Sequence, residues 1–229
     1  MLTKIFTAVT AIAILFAPSL TRAQDAGVLG TKLVIVDKTA STGVAKTVFV
    51  SKGDPDIAKG AEGDPALVEG TLEVFYTDAP SSVVGTYRIP APWLLNKSTV
   101  AKYVNKLAPT GGDVKVALLN RASDAKVVAK GLGDGQAIDL SGGAPGAGGV
   151  SVVLSVNNGT DFSMHRMCTR FSTGDGSTLI YKLIAGGTGY KLTGKGGVAA
   201  ACPPVDADTT SIASAAEPAE TPGTPSVIV

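Results

Sequence analysis

The chain has 229 residues, with 20 lysines and arginines against 19 aspartates and glutamates, so its formal net charge is +1. This balance excludes the strongly charged classes of protein, and neither nucleic acid nor an anionic membrane is expected as a partner. Aromatic residues make up only 5% of the sequence, which weakens any mechanism based on stacking sugars or bases.

Residues 1–23 have the pattern of a secretory signal peptide. Lys4 supplies the positive start, residues 5–16 form the apolar stretch, and Thr21-Arg22-Ala23 has the small residues of a cleavage site. The apolar run is too short for a comfortable transmembrane span, and no later stretch reaches the ~18 apolar residues that a span needs. We therefore expect a secreted protein, periplasmic or extracellular, whose mature form begins at Gln24.

The chain contains two cysteines, Cys168 and Cys202. In an exported protein such a pair predicts a disulfide rather than two free thiols. Closing a loop of this length stabilises a fold by about 3–4 kcal/mol in the chain-entropy model. The pair is expected to act as a structural staple, with no redox or nucleophilic role.

The body, residues 24–204, has the pattern of an all-β domain. The 28 glycines of the chain, the frequent valine and threonine, and the short apolar runs between turn residues all favour strands. Only residues 100–107 have a spacing that a helix could use. After the body the composition changes to Ala, Thr, Pro, Ser and Glu, so residues 205–229 are expected to be a disordered tail. The predicted strands cover residues 33–36, 47–51, 67–76, 84–89, 114–119, 126–129, 150–156, 162–171, 179–184 and 190–192.

An internal duplication is a further expectation. Lys32-Leu33-Val34 resembles Lys102-Tyr103-Val104, and the next such triplets in the two segments keep the same offset of about 70 residues. The pattern predicts two related units, residues 32–101 and 102–181, with a partial third at 182–203. The alternative is that a chain rich in lysine, glycine and valine matches itself by chance.

Short antiparallel strands in two related units are most simply arranged as an antiparallel β-sandwich. The strand predicted around the only histidine lies between two hairpin-turn sequences. Alternation along this strand places Met167 and Phe171 toward the core. It points Arg166 and Arg170 outward, and Arg88 points outward on the matching strand. These three arginines are the predicted surface or binding residues.

Two single residues allow a functional interpretation. His165 is the only histidine, but no nucleophile motif or second metal ligand accompanies it, so a structural role is favoured. Trp93 is the only tryptophan and could stack a sugar if it were exposed. Because Leu94 and Leu95 follow it, the commoner role is a core anchor. No catalytic residue is predicted, and Trp93 is retained as a possible binding residue.

Three carboxylates in one loop, Asp54, Asp56 and Asp64, are weak candidates for a calcium site. Their spacing matches no known calcium loop, and Asp-Pro and Gly-Asp are ordinary turn sequences. No other metal and no cofactor are expected.

Several strings in the chain resemble a family of secreted all-β proteins from environmental bacteria. The resemblance covers most of residues 31–203, and it implies a bacterial origin but no activity. It rests on the strings KLVIVDK, LEVFYTDAP, PAPWLLNK, YVNK, HRMCTRF, DGST and AGGTGYKL.

The expected function is an exported, non-enzymatic β-sandwich module with a structural or binding role at or outside the cell envelope. Its partner would be a protein or a glycan. One alternative is a secreted, glycosidase-like hydrolase that uses carboxylates such as Glu69, Glu73 and Asp78. Another is a calcium-stabilised adhesion domain.

Overall fold

The computed structural model describes residues 24–58, 69–95, 98–105, 114–132, 140–157 and 164–203, with the backbone alone at 80–83 and 130–132. Within these residues the fold is almost entirely β, as the sequence predicts. One helical turn, α1 (Thr39–Thr42), and one 3-10 turn (Ala185–Gly187) accompany the strands. The strands are β1 Gln24–Gly27, β2 Gly30–Lys38, β3 Val44–Lys52, β4 Gly70–Tyr76, β5 Ala79–Ile89, β6 Leu94–Leu95, β7 Val100–Val104, β8 Val114–Asn120, β9 Asp124–Leu132, β10 Val150–Asn157, β11 Met164–Phe171, β12 Thr178–Leu183 and β13 Tyr190–Ala199.

The 13 strands are hydrogen-bonded into one curled sheet. Its four-strand part runs in the order β5-β4-β10-β11, and its eight-strand part runs in the order β13-β2-β3-β9-β8-β7-β6, with β12 also paired to β13. The remaining strand, β1, adds in parallel to β11, whereas all the other pairings are antiparallel. The path of paired strands is continuous, so two separate sheets stacked as a sandwich are not confirmed.

Side chains alternate between core and surface along the strands of the eight-strand part. In β2, Leu33 and Ile35 are fully buried, whereas Val34 and Val36 are partly exposed. Strand β10 of the four-strand part behaves differently, since it is buried at every position except Ser151 and is therefore covered on both faces. Buried side chains from both parts form one continuous apolar cluster. The sheet thus curls around a single core.

The two parts of the sheet meet at a short ladder between β11 and β13. Thr169 pairs with Ala199 and Arg170 with Val198. On the other side of this ladder β13 continues as the neighbour of β2 and β12. Strand β13 of the eight-strand part therefore joins the two parts by pairing with β11.

Phe171, the last residue of β11, fills the space beneath this junction. It is fully buried and lies against Gly30, Gly194 and Gly197. A Cβ atom at Gly30 would lie 2.5 Å from the ring, and one at either of the other two glycines would lie 2.7 Å from it. Such distances are shorter than carbon atoms tolerate, so the aromatic ring occupies the space that side chains at these positions would need.

A hydrogen bond across the core also links the two parts. Tyr87 on β5 and Thr47 on β3 are both fully buried, and their hydroxyl oxygens are 2.5 Å apart. Burial raises the pKa of Tyr87, because the charged phenolate would be desolvated. The hydroxyl is therefore neutral at physiological pH, and both polar groups are satisfied inside the core.

Several expectations from the sequence differ from what the structure shows. Residues 100–107, the one stretch whose spacing fits a helix, contain strand β7, because pairing with β8 satisfies its backbone better than a short helix could. Strands β1 and β6 were not predicted, and the duplication is not confirmed.

Residues 1–23 and 205–229, the predicted signal peptide and tail, lie outside the described residues. Within the described part of the chain, no helix has the length and hydropathy to span a bilayer.

The contact between Phe171 and its three glycines predicts a specific sensitivity. Gly194→Ala places a methyl group 2.7 Å from the ring, and we expect the free energy of unfolding to fall by about 1–3 kcal/mol. Gly174→Ala is the matched control, because a Cβ there meets nothing within 4 Å, and it should change stability by less than about 0.5 kcal/mol. Denaturant unfolding of both variants measures the difference. Equal stability of the two variants would contradict the packing.

Candidate functional site

Strand β11 carries six of the residues that the sequence analysis singled out, one of which is Cys168 of the disulfide. Met167 and Phe171 lie in the core, as predicted. His165 is half-buried near the start of the strand. Arg166 and Arg170 occupy the alternate positions, on the face away from the core. The predicted alternation of this strand is therefore confirmed, although the environments of the two arginines differ.

Arg166 is not the open binding residue that the sequence predicts, because it is only 8% exposed. Its Nη1 lies 3.2 Å from Asp25 Oδ2 on the neighbouring strand β1, and its Nη2 donates to the carbonyl oxygen of Pro203. The side chain therefore ties β1 and the segment after β13 to the same strand. Arg166 has a structural role in this arrangement.

The other two predicted arginines are separate from Arg166. Arg88 is exposed on β5 and is in register with Arg166 through β4 and β10. Three strand spacings lie between them, about 14 Å. Arg170 is partly exposed, and its Nε donates to Asp175 Oδ2 at 3.2 Å. The three guanidinium groups therefore do not form one binding site.

Asp175 lies in a small network of hydrogen bonds after β11. Ser177 Oγ is 2.7 Å from Asp175 Oδ1 and accepts from the Ser172 backbone N–H at 2.7 Å. The hydrogen bond from Ser177 is the main reason that the pKa of Asp175 falls to about 2, and Ser172 and Arg170 contribute to the same effect. This network orders the turn between β11 and β12.

The predicted disulfide between Cys168 and Cys202 is confirmed. The two Cα atoms are 5.3 Å apart and 34 residues apart in sequence. Cys168 packs with Phe75 and Val153 on the outer face of the four-strand part, and Cys202 packs against this group. The bridge fixes the segment after β13 on the middle of this face.

Trp93 is a core residue. It is 2% exposed and its ring centroid lies 6.3 Å from that of Tyr103. The core-anchor interpretation is therefore correct, and the alternative of a surface platform for sugars is wrong. Burial removes the face of the indole ring that a sugar would need.

The calcium candidates have different surroundings. Asp54 is buried and both of its carboxylate oxygens accept backbone N–H groups, Oδ2 from Leu29 at 2.6 Å and Oδ1 from Asp56 at 2.8 Å. Asp56 is exposed, and Asp64 lies outside the described residues. Among the residues that the structure describes, no three acidic, histidine or cysteine side chains are grouped as metal ligands. The geometry at Asp54 is that of a loop held by a buried carboxylate.

The carboxylates of the hydrolase alternative are spread along the chain. Glu73 is partly buried on β4, where burial raises its pKa and the positive charge of Arg166 opposes this effect. Glu69 is exposed and four residues earlier, about 13 Å away along an extended chain. Asp78 lies in the turn after β4, where its Oδ2 accepts the Gly148 N–H at 2.7 Å. This arrangement does not give the paired carboxylates of a glycosidase.

His165 lines a cavity of about 310 Å³ beside β1. Asp25, Asp56 and Arg121 also line it, so acidic groups are present near the histidine. However, Asp25 is held by Arg166, and within the described residues the imidazole of His165 has no hydrogen-bond partner. A general base is normally oriented by such a partner. Among the described residues, the cavity therefore has polar walls but no partner that orients the imidazole.

A different surface, not recognised from the sequence, is the outer face of the eight-strand part. On seven adjacent strands, β12, β13, β2, β3, β9, β8 and β7, the outward positions form rows that cross the strands. We call this surface the lysine face. Its first lysine row contains Lys32, Lys102, Lys126 and Lys195, and its second lysine row contains Lys46, Lys182 and Lys191.

An apolar row lies between the two lysine rows, and we call it the valine row. Each member is paired in register with the next across all seven strands. At its two ends Val104 is 38% and Ile180 is 53% exposed, and the members between them are partly exposed. The row consists of Val104, Val116, Val128, Val48, Val34, Thr193 and Ile180.

The charges of the lysine face are not compensated. Lys32 is directly opposite Lys195, and Lys182 is directly opposite Lys191. Like charges in these positions destabilise a sheet. Within the described residues none of the seven lysines forms a salt bridge, and the one acidic outward position on these strands is Asp124, at the start of β9. The fold therefore maintains an unfavourable concentration of positive charge on one face.

The net charge of the sequence conceals this face, because acidic residues elsewhere balance the lysines. A local signal was present in the spacing, since Lys32-Leu33-Val34, Lys46-Thr47-Val48 and Lys102-Tyr103-Val104 all place lysine and valine two residues apart. Residues two apart in a strand share one face. The same recurrence predicts the duplication, and in the structure its lysines and valines lie on one common surface.

No protein-family model, curated protein or solved structure matches this chain.

The network around Asp175 predicts a pH-dependent effect. Ser177→Ala should raise the pKa of Asp175 from about 2 toward its ordinary value. Because the folded-state pKa is lowered, the network stabilises the protein fully above pH ~4, and this contribution is lost as the pH falls toward ~2. NMR titration of the carboxyl carbon gives the pKa, and unfolding at neutral and acidic pH gives the stability difference. Thr173→Ala, an exposed neighbour, is the control; the same pKa in both variants would contradict the assignment.

Proposed function

We propose that the protein is an exported, non-enzymatic β module that binds an anionic partner at or outside the cell envelope. The observation that carries this proposal is the lysine face, where seven lysines that form no salt bridge within the described residues lie on one side of the sheet. Holding like charges together lowers the stability of the folded protein. A ligand of opposite charge would offset this cost and would be attracted to the face. The lysine face therefore has the character of a binding surface.

The rest of the described molecule supports a binding role over a catalytic one. Among the described carboxyl groups Glu73 has a raised pKa, but Glu69 and Asp78 do not lie beside it. Within the described part of the chain, no hydrogen-bond partner orients the imidazole of His165 in its cavity. The disulfide is of the kind found in exported proteins, and it supports the predicted compartment.

Export can be tested with the full chain in a bacterial host. We expect the product to be recovered from the periplasm or the medium, to begin at Gln24, and to contain no free thiol, because residues 1–23 are removed during export. Intact-mass measurement and thiol labelling report both properties. Ala23→Glu alters the residue before the predicted cleavage position and should yield an uncleaved product. A wild-type protein that stays in the cytoplasm with residues 1–23 attached would contradict the export proposal.

Binding of an anionic partner can be tested with heparin-agarose, a general probe for polyanion binding. Replacing Lys32, Lys46, Lys126 and Lys191 with glutamine removes two charges from each lysine row, so this variant should elute at a clearly lower salt concentration than the wild type. Arg88→Gln removes a charge outside the lysine face and should elute close to the wild type. Circular dichroism and thermal unfolding check that both variants fold. Unchanged elution of the folded quadruple variant would overturn the assignment of the binding surface.

A further inference from the structure

We propose that the partner of the lysine face is a linear acidic polysaccharide that lies across the strands along the valine row. This inference rests on the proposed function, because it requires that the lysine face bind an anion. It adds the chemical class of the ligand, the direction in which it lies and the side chains on either side of it.

The dimensions of the lysine face favour an elongated ligand. The two lysine rows are four residues apart along each strand, about 13 Å, and the seven strands extend over about 29 Å. Lys126 and Lys32 lie on one side of the valine row, and Lys46 and Lys191 lie on the other side. A polymer chain along the valine row therefore has ammonium groups on both sides between β13 and β3, and the first lysine row continues on one side as far as β7.

The chemistry of the valine row favours sugars. Val48 and Val34 are partly exposed side chains without polar atoms, next to Thr193, whose hydroxyl can bond to a sugar hydroxyl. The C–H faces of sugar rings are apolar and can pack on such a row, while their carboxylates project toward the lysines. An ammonium group is a point charge on a flexible stem, so it can follow carboxylates that have no fixed orientation.

The same surface is a poor match for the two other common polyanions. Nucleic acids are usually bound by arginines and by aromatic side chains that stack on bases, and the described outward positions of the seven strands contain neither. An anionic bilayer would be expected to engage interfacial tryptophan or tyrosine. Because the sheet curls around its core, the lysine face is convex, and a flat bilayer would contact only part of it.

The inference can be tested by isothermal titration of the purified protein with polygalacturonate, which carries one carboxylate on each sugar. We expect saturable binding that weakens as salt is added, and no binding to the neutral polymer pullulan. Lys32→Gln with Lys126→Gln should weaken binding about tenfold, because the pair removes two adjacent charges from the first lysine row. Lys32→Arg with Lys126→Arg keeps the charge and should bind within about twofold of wild type, and so should Arg88→Gln.

Two substitutions test the valine row separately. Val48→Asp with Val34→Thr places a negative charge in the row, whereas Val48→Thr with Val34→Thr keeps it neutral and similar in size. The first pair should abolish binding of polygalacturonate, and the second should weaken it only a few-fold. If the acidic pair binds as well as the neutral pair, the polymer does not follow the valine row and the inference is overturned. Thermal unfolding confirms that both pairs are folded.

Two comparison ligands separate this inference from the proposed function. Phosphatidylglycerol vesicles and single-stranded oligothymidylate are titrated under the same conditions. Tighter binding of either than of polygalacturonate, with the same dependence on Lys32 and Lys126, would overturn the polysaccharide assignment but leave an anion-binding module. Absence of binding to all three would overturn both proposals.

Discussion

The short ladder between β11 and β13, together with the Phe171 ring beneath it, is the constraint on which the rest of the structure depends. The ladder joins the four-strand part to the eight-strand part, and Phe171 can reach this position only because Gly194 and Gly197 have no side chains. The core is continuous because the two parts meet there. The lysine face depends on the same junction, since β13 contributes lysines to both rows.

Local features of the fold were predictable from the sequence, and the global arrangement was not. Alternating patterns located most of the strands, and the pair Cys168 and Cys202 identified the disulfide. Which strands become neighbours depends on long-range pairing, for example of β10 with β4 and of β3 with β9, and alternation carries no information about it. For this reason the sandwich could be inferred from the sequence but is not confirmed.

At the candidate site, too, local features were predictable from the sequence and long-range contacts were not. The outward side of β11 was predicted, but not the burial of Arg166, which depends on contacts with Asp25 and Pro203 far away in sequence. The lysine face was missed because net charge averages over the whole chain, whereas binding depends on where charges lie. Lys32 and Lys195 are 163 residues apart in the sequence, and they become direct neighbours only through the pairing of β2 with β13. The predicted duplication remains a prediction.

The position of Cys202 has a mechanical consequence for the segment that follows it. A pulling force applied to the chain beyond Pro203 would pass through the sulfur bridge to Cys168, in the middle of β11. Strand β13 would be shielded from that force, because the tension leaves the backbone before reaching Ala199. Anything tethered through residues 204–229 would thus pull on β11, an interior strand with paired neighbours on both sides.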